Sequence, residues 1–186
     1  MEKRIKCVTL QRQENWYKRH IQSIDNGKYE PFWRVEDVNS SGIKVKTRHF
    51  NDHHRVVHLL SMNEMFMYQL IAWDSSIVEC YEQYAFPLIE TLAIAEKLEV
   101  KHPVYVGTSV PIVQTMDFLC IRDDGSQVAF PVKQESWLEN VRTIEKLAIQ
   151  ESVCEIKERA LKQIHSIQTP TSLKPAISSH HSTNTH

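Results

Sequence analysis

The 186 residues are 41% hydrophobic and 24% charged, enough apolar content to bury a real core in one folded domain. The 22 Lys and Arg against 23 Asp and Glu leave a formal net charge of −1, which counts against a strongly basic, self-sufficient nucleic-acid binder but not against an enzyme held on DNA by partner subunits. No stretch approaches the ~18–20 apolar residues of a membrane span, the charged N-terminus is no signal peptide, and Cys7, Cys80, Cys120 and Cys154 lack C-x-x-C spacing, as expected of reduced thiols in a cytoplasmic protein.

In chain order, residues 10–24 read as a polar helix laid on the body through Leu10, Trp16, Tyr17 and Ile21 and stopped by Asn26-Gly27. From Trp33 to His58 the texture is β: Ile43, Val45 and Thr47 alternate with lysines, and Val56-Val57 follow a polar turn at Asn51-Asp52. Residues 61–73 are apolar on several sides and predict a substantially buried helix. A strand follows around Ile77–Tyr81, and Pro87 fits the first turn of a helix running to about Leu98. QTMDFLCIR and QVAFPVK then flank the turn Asp123-Asp124-Gly125, read as a three-residue hairpin loop with Gly in the left-handed region and a bulge. That register places Asp117 opposite Pro131 and on one face with Lys133; a two-residue turn would separate Asp117 and Lys133. A long helix runs from about Trp137 to Ile164, and the Ser, Thr, Pro and His beyond Gln168 predict a disordered tail. The order α-β-β-α-β-α-β-β-α predicts an α/β fold with a mixed sheet flanked by helices. It divides into an N-terminal helical segment at 1–30, a folded domain at 31–166 and a tail at 167–186.

Three ionisable residues occupy positions where a small core favours something apolar. Glu64 lies in the first turn of the apolar helix, Asp117 is mid-strand in TMDFLCI, and Lys133 ends the partner strand. A carboxylate on a strand, followed after a hairpin by a lysine, is the skeleton of a metal-dependent phosphodiesterase. The carboxylates hold Mg²⁺, and the lysine orients the attacking water or stabilises developing charge. Each residue also has a plainer role. Ser61-x-x-Glu64 is a helix capping box, Asp117 can pair with a basic neighbour, and Lys133 can simply close a strand. Singly, each plainer role is the stronger reading.

The stretch HLLSMNEMFMYQLIAWDSSIVECYEQYAFPL at residues 58–88 resembles the signature of the TnsA family of transposase endonucleases. The H-L-L-S lead-in, the glutamate three residues after the serine, W-D-S-S-I and a downstream E-Q carry the likeness. KHPV at 101–104, TMDFL at 115–119, PVK at 131–133 and RTIEKL at 142–147 follow in the family's order. The resemblance implies a restriction-endonuclease-like fold for residues 31–166, with Glu64, Asp117 and Lys133 on the family's catalytic positions. It further implies Mg²⁺ held by Glu64, Asp117 and the Val132 carbonyl. The implied activity is nicking at the 5′ ends of a transposon. The implied partners are an integrase-type transposase, which cuts the 3′ ends, and a AAA+ ATPase regulator. A catalytically impaired structural subunit, or another nuclease of the same fold, are the alternatives.

The chain departs from the family at two places. Pro131 stands where the family usually has Gln or Glu, so neither a polar side chain nor an N–H is available there, and Gln134 or Glu135 are the candidates to compensate. After the long helix the family continues into an apolar strand, whereas IHSIQTPTSLKPAISSHHSTNTH does not, which reads as a truncated or frame-shifted copy.

His49, His53, His54 and His58 tempt a zinc reading, but their four-residue spacing shares a face only on a helix and the segment reads β. His58 belongs to the H-L-L-S motif and is expected near the site, with the other three as turn groups or DNA-backbone contacts. His180, His181 and His186 read as solvated, Trp33, Trp73 and Trp137 as core or rim, and Glu151–Lys162 as a solvated helix face.

Overall fold

Thr9 opens the first helix by accepting the Arg12 N–H, and Gly27 closes it in the left-handed region at φ 65°. The computed structural model describes residues 8–38, 42–133 and 139–168, so the expected tail, Trp137, Gln134 and Glu135 lie outside the described residues. The elements are α1 (Leu10–Asp25), β1 (Val45–Arg48), β2 (Val56–Leu59), α2 (Met62–Trp73), β3 (Ile77–Ala85), α3 (Leu88–Lys97), β4 (Thr115–Arg122), β5 (Gln127–Phe130) and α4 (Val141–Gln168). This is the expected order. The described strands pair antiparallel in two sheets, β1-β2 and β3-β4-β5, with the helices packed around them in a mixed α/β architecture consistent with the restriction-endonuclease-like fold.

Three apolar clusters hold the fold. Val57, Leu59, Tyr68, Ile71, Ile77, Cys80, Phe118 and Cys120 join α2 to the strands of both sheets. Phe86, Ile94, Ala95, Met116, Ile149 and Val153 join α3 and α4 to β4. Phe32, Ala85 and Val113 are covered by Trp16, Tyr17, Trp33 and Leu88. Each fully buried large side chain contributes on the order of 1.5–3 kcal/mol of transfer free energy. Met116 belongs to one cluster and Phe118 to another, whereas Asp117, on the opposite face of β4, is only part-buried.

Two expectations about helices need correction. Leu10 is exposed, and α1 buries the polar Gln13, His20 and Ser23 instead, because each finds backbone partners in the body. Gln13 donates to the Pro111 carbonyl at 2.9 Å and accepts from the Val113 N–H at 2.9 Å and the Tyr105 hydroxyl at 3.0 Å. His20 accepts the Ala85 N–H on Nε2, which assigns the proton to Nδ1 facing the Glu30 carbonyl at 2.8 Å. Burial lowers its pKa, as a neutral ring requires. On α2, only one face packs inward: Phe66, Leu70 and Trp73, at helical spacing, are exposed, while Tyr68 and Ile71 are buried. The strands of the two sheets cover one face of α2 and leave the other uncovered among the described residues.

Candidate active site

The β4-β5 hairpin sets the geometry of the site. Gly125 adopts φ 79°, its N–H bonds to the Arg122 carbonyl at 2.9 Å, and the Arg122 N–H bonds to the Ser126 carbonyl at 2.9 Å. The ladder runs Ile121 against Gln127 to Phe118 against Phe130, so the next step of the same register sets Asp117 opposite Pro131, as the turn chemistry predicts. A residue with a side chain would strain this φ, and Gly removes that cost. Just past β5 the chain turns back on Asp117. The Val132 N–H donates to Asp117 Oδ2 at 2.7 Å, and Lys133 Nζ donates to the same oxygen at 2.5 Å and to the Val132 carbonyl at 3.0 Å. Asp117 and Lys133 are thus a part-buried pair, with side chains 13% and 25% exposed.

Glu64 arrives from the other direction. Ser61, extended at φ −152°, caps α2 by accepting the Glu64 N–H at 3.2 Å. Glu64 reaches back, with Oε2 accepting the Leu60 N–H at 2.8 Å and Oε1 the Ser61 hydroxyl at 3.1 Å. This is a capping box shifted by one residue at its second bond. The same Oε2 lies 3.4 Å from the Gln83 amide nitrogen, which lies 3.4 Å from Asp117 Oδ1. The carboxylates of Glu64 and Asp117 therefore stand within twice that distance of each other, joined through one amide. Burial raises the Glu64 pKa and the Asp117 charge adds to it, against the lowering effect of the Leu60 N–H, Ser61 and Lys133.

Gln83 is the residue that pattern reading left without a role, although it stands in the E-Q of residues 82–83. It is buried on β3, directly across from Asp117 in the register that pairs Glu82 with Phe118 and Tyr84 with Met116. Its φ of 49° is left-handed, a conformation that costs a non-glycine residue of order 1–3 kcal/mol unless its surroundings enforce it. Glu82 and Gln83 are both buried at this point of the strand.

His49 takes the first of its two expected roles, a turn group. It is buried and stacked on Phe50, its Nδ1 accepts the Asn51 and Asp52 N–H groups of the turn, and its Nε2 lies 3.1 Å from Glu79 Oε1. His58 accepts the Val35 N–H on Nδ1 at 3.2 Å, and its backbone N–H bonds to Glu82 rather than to either site carboxylate. Of the expected core or rim positions, Trp73 is not core: it is exposed.

The donor set suits a hard divalent cation. Two carboxylates face a single lysine, leaving an excess negative charge, and the Val132 carbonyl adds a third oxygen. Among the described residues no group of three or more His, Cys, Asp or Glu side chains is placed to hold a metal ion.

A mixed α/β domain with a strand carboxylate, a hairpin lysine and a helix-borne glutamate converging on one place defines a protein of the restriction-endonuclease-like class. Residues 74–165 match the family described as TnsA-like endonuclease, N terminal, a range that includes Gln83, Asp117 and Lys133 and begins after Glu64. This stretch, 92 of the 186 residues, is thus similar to the N-terminal part of TnsA-like endonucleases. It is also 36% identical over 126 residues to the transposon Tn7 transposition protein TnsA of Escherichia coli, an alignment covering 66% of this chain and 44% of that protein. The chain thus spans less than half the length of this curated relative.

Proposed function

We propose that this chain is the DNA endonuclease subunit of a heteromeric transposase, nicking the 5′ ends of a transposon in the presence of Mg²⁺. The observation that carries the reading is the meeting of Glu64, Asp117 and Lys133 around the Gln83 amide, three residues drawn from a helix, a strand and the end of a hairpin. Glu64, Asp117 and the Val132 carbonyl would hold Mg²⁺, which when bound polarises the scissile phosphate and acidifies water. Lys133, anchored between Asp117 and Val132, offers its remaining proton to an attacking water or to developing negative charge on phosphate. The Val132 N–H fixes one Asp117 oxygen and leaves the other directed towards Gln83 and Glu64. The near-zero net charge suits a subunit delivered to DNA by partners, for which the proposal names an integrase-type transposase and a AAA+ ATPase regulator, acting in the cytoplasm. Among the described residues, no helix is long and apolar enough to cross a membrane.

Pro131 favours a second reading, a structural subunit with impaired cleavage. It sits opposite Asp117 and supplies neither the N–H nor the polar side chain that the family carries there. Loss of an outer contact of this kind costs ~10–100-fold in metal affinity or activity. The test is a strand-nicking assay on transposon-end DNA with the partner transposase and Mg²⁺. Nicking is expected to be weak in the native chain, raised by Pro131→Gln and abolished by Asp117→Ala. No gain from Pro131→Gln in a folded, partner-bound protein would favour the structural reading. Robust nicking insensitive to Asp117→Ala would remove the active-site assignment.

A further inference from the structure

Resting on that reading of the site, we propose that Gln83 is the positioning residue of the acidic pair: its carboxamide bridges Glu64 and Asp117 and presets their spacing for a divalent cation. Four observations carry this. Gln83 is 3% exposed, so its amide cannot turn to bulk solvent for partners. The Thr115 hydroxyl lies 3.1 Å from its Oε1, and the Thr115 carbonyl is itself held by Gln150 Nε2 at 2.8 Å. With the amide oxygen engaged there, the amide nitrogen is the end that faces the carboxylates. The opposite orientation would set three acceptor oxygens against one another. Finally, the β3-β4 register sets Gln83 directly across from Asp117, with its backbone held in the left-handed region, while Glu82 stays buried with its own partners.

Both amide contacts are long, at 3.4 Å, so the nitrogen straddles the two carboxylates without being committed to either. A neutral donor between two acceptors keeps them close without neutralising them. The pair keeps its net negative charge and its spacing, which is the state a cation requires on arrival. Gln83 holds the carboxylates and touches no reacting atom.

The test uses the full 186-residue chain and Mn²⁺ as the probe, with affinity measured by titration calorimetry and folding checked by thermal melting. Gln83→Met keeps the bulk and removes the amide. Gln83→Asn keeps an amide and suits the left-handed backbone, but is one methylene too short to span the pair. Asp117→Ala defines the binding that belongs to this site. The expected result is Asp117-dependent Mn²⁺ binding in the native chain, weakened about 10–100-fold in both Gln83 variants at nearly unchanged melting temperature. A role confined to packing would lower the melting temperature and leave Mn²⁺ affinity alone. If Gln83→Met does not fold, Gln83→Asn decides. Native-like Mn²⁺ affinity in a folded Gln83 variant overturns the inference alone. Absence of Asp117-dependent Mn²⁺ binding in the native chain overturns the cation reading and this inference with it.

Discussion

Glu82 and Gln83 are neighbours on β3, yet they serve two polar sites built on different terms. Around Glu82 both carboxylate oxygens are engaged: Arg55 pairs with one, the His58 N–H donates to the other at 3.1 Å, and Arg55 also bonds the Cys80 carbonyl at 2.7 Å. The guanidinium lies 4.7 Å from the Tyr29 ring and 5.7 Å from Tyr81, which lends it cation–π stabilisation. Around Gln83, two carboxylates share one lysine and one amide held at long range. The first site joins the β1-β2 side of the molecule to β3 and closes on itself. The second leaves negative charge uncompensated in part-buried surroundings. A buried charge with a full set of partners serves the architecture, and a surplus of like charge is kept only where something else is to be bound.

The largest effect that would break this contrast is at Arg55. Arg55→Met strands the fully buried Glu82 carboxylate, and removing one partner of a buried pair costs about 3–5 kcal/mol, read by chemical denaturation above the Glu82 value of about 7, where the group is ionised. A change below about 1 kcal/mol would show that Glu82 is not held as an ion.

The pH profile sharpens the same point. Burial pushes the Glu82 carboxyl up from 4.5 to about 7 despite Arg55, so between these values the folded protein holds a proton that the unfolded chain has released. The stability this contributes is complete below the unfolded value and is lost as pH rises through the folded one, a fall on the order of 3 kcal/mol. Glu64, also raised by burial, acts in the same direction. His20, His58 and His102, whose pKa values burial lowers, act in the opposite direction over the same range, so the Glu82 contribution is read as a difference. From pH 5 to 8 the stability of the native chain relative to Glu82→Gln should decline, and a difference that is flat or rises contradicts the assignment.

The smallest effect lies at the second site. Glu64→Gln retains an acceptor for the Leu60 N–H and should change stability by only a few tenths of a kcal/mol, whereas Glu64→Ala removes the reciprocal cap and costs about 1 kcal/mol. Both are expected to abolish Asp117-dependent cation binding. If Glu64→Gln bound Mn²⁺ as the native chain does, Glu64 would be a cap and nothing more.

What the sequence disclosed follows from the range of the interactions involved. The hairpin register was legible because it depends on three adjacent residues, Asp123 to Gly125, and one backbone preference. From that register came the facing of Asp117 and Lys133. The capping box was legible for the same reason, since Ser61 and Glu64 lie in one turn. Gln83 was not, because a left-handed φ at a glutamine has no local signature and its partners lie 19 and 34 residues away. Nor was the burial of Gln13 and His20, whose partners sit up to 100 residues distant. The exposure of Phe66, Leu70 and Trp73 shows the converse limit: apolar character says what a helix could bury, and the neighbouring elements decide how much it does.

One carboxylate, that of Glu64, closes the first turn of α2 and belongs to the acidic pair. A ligand that draws this carboxylate away from the Leu60 N–H loosens the helix end, and a frayed helix end releases the carboxylate. Occupancy and local order are then two sides of a single equilibrium, each shifting the other by the same free energy. Amide hydrogen exchange reports on it directly. Adding Mn²⁺ should speed exchange at Leu60 in the native chain and leave the hairpin amides of β4 and β5 protected. Unaltered exchange at Leu60 under saturating Mn²⁺ would mean that the cap and the site use the carboxylate independently.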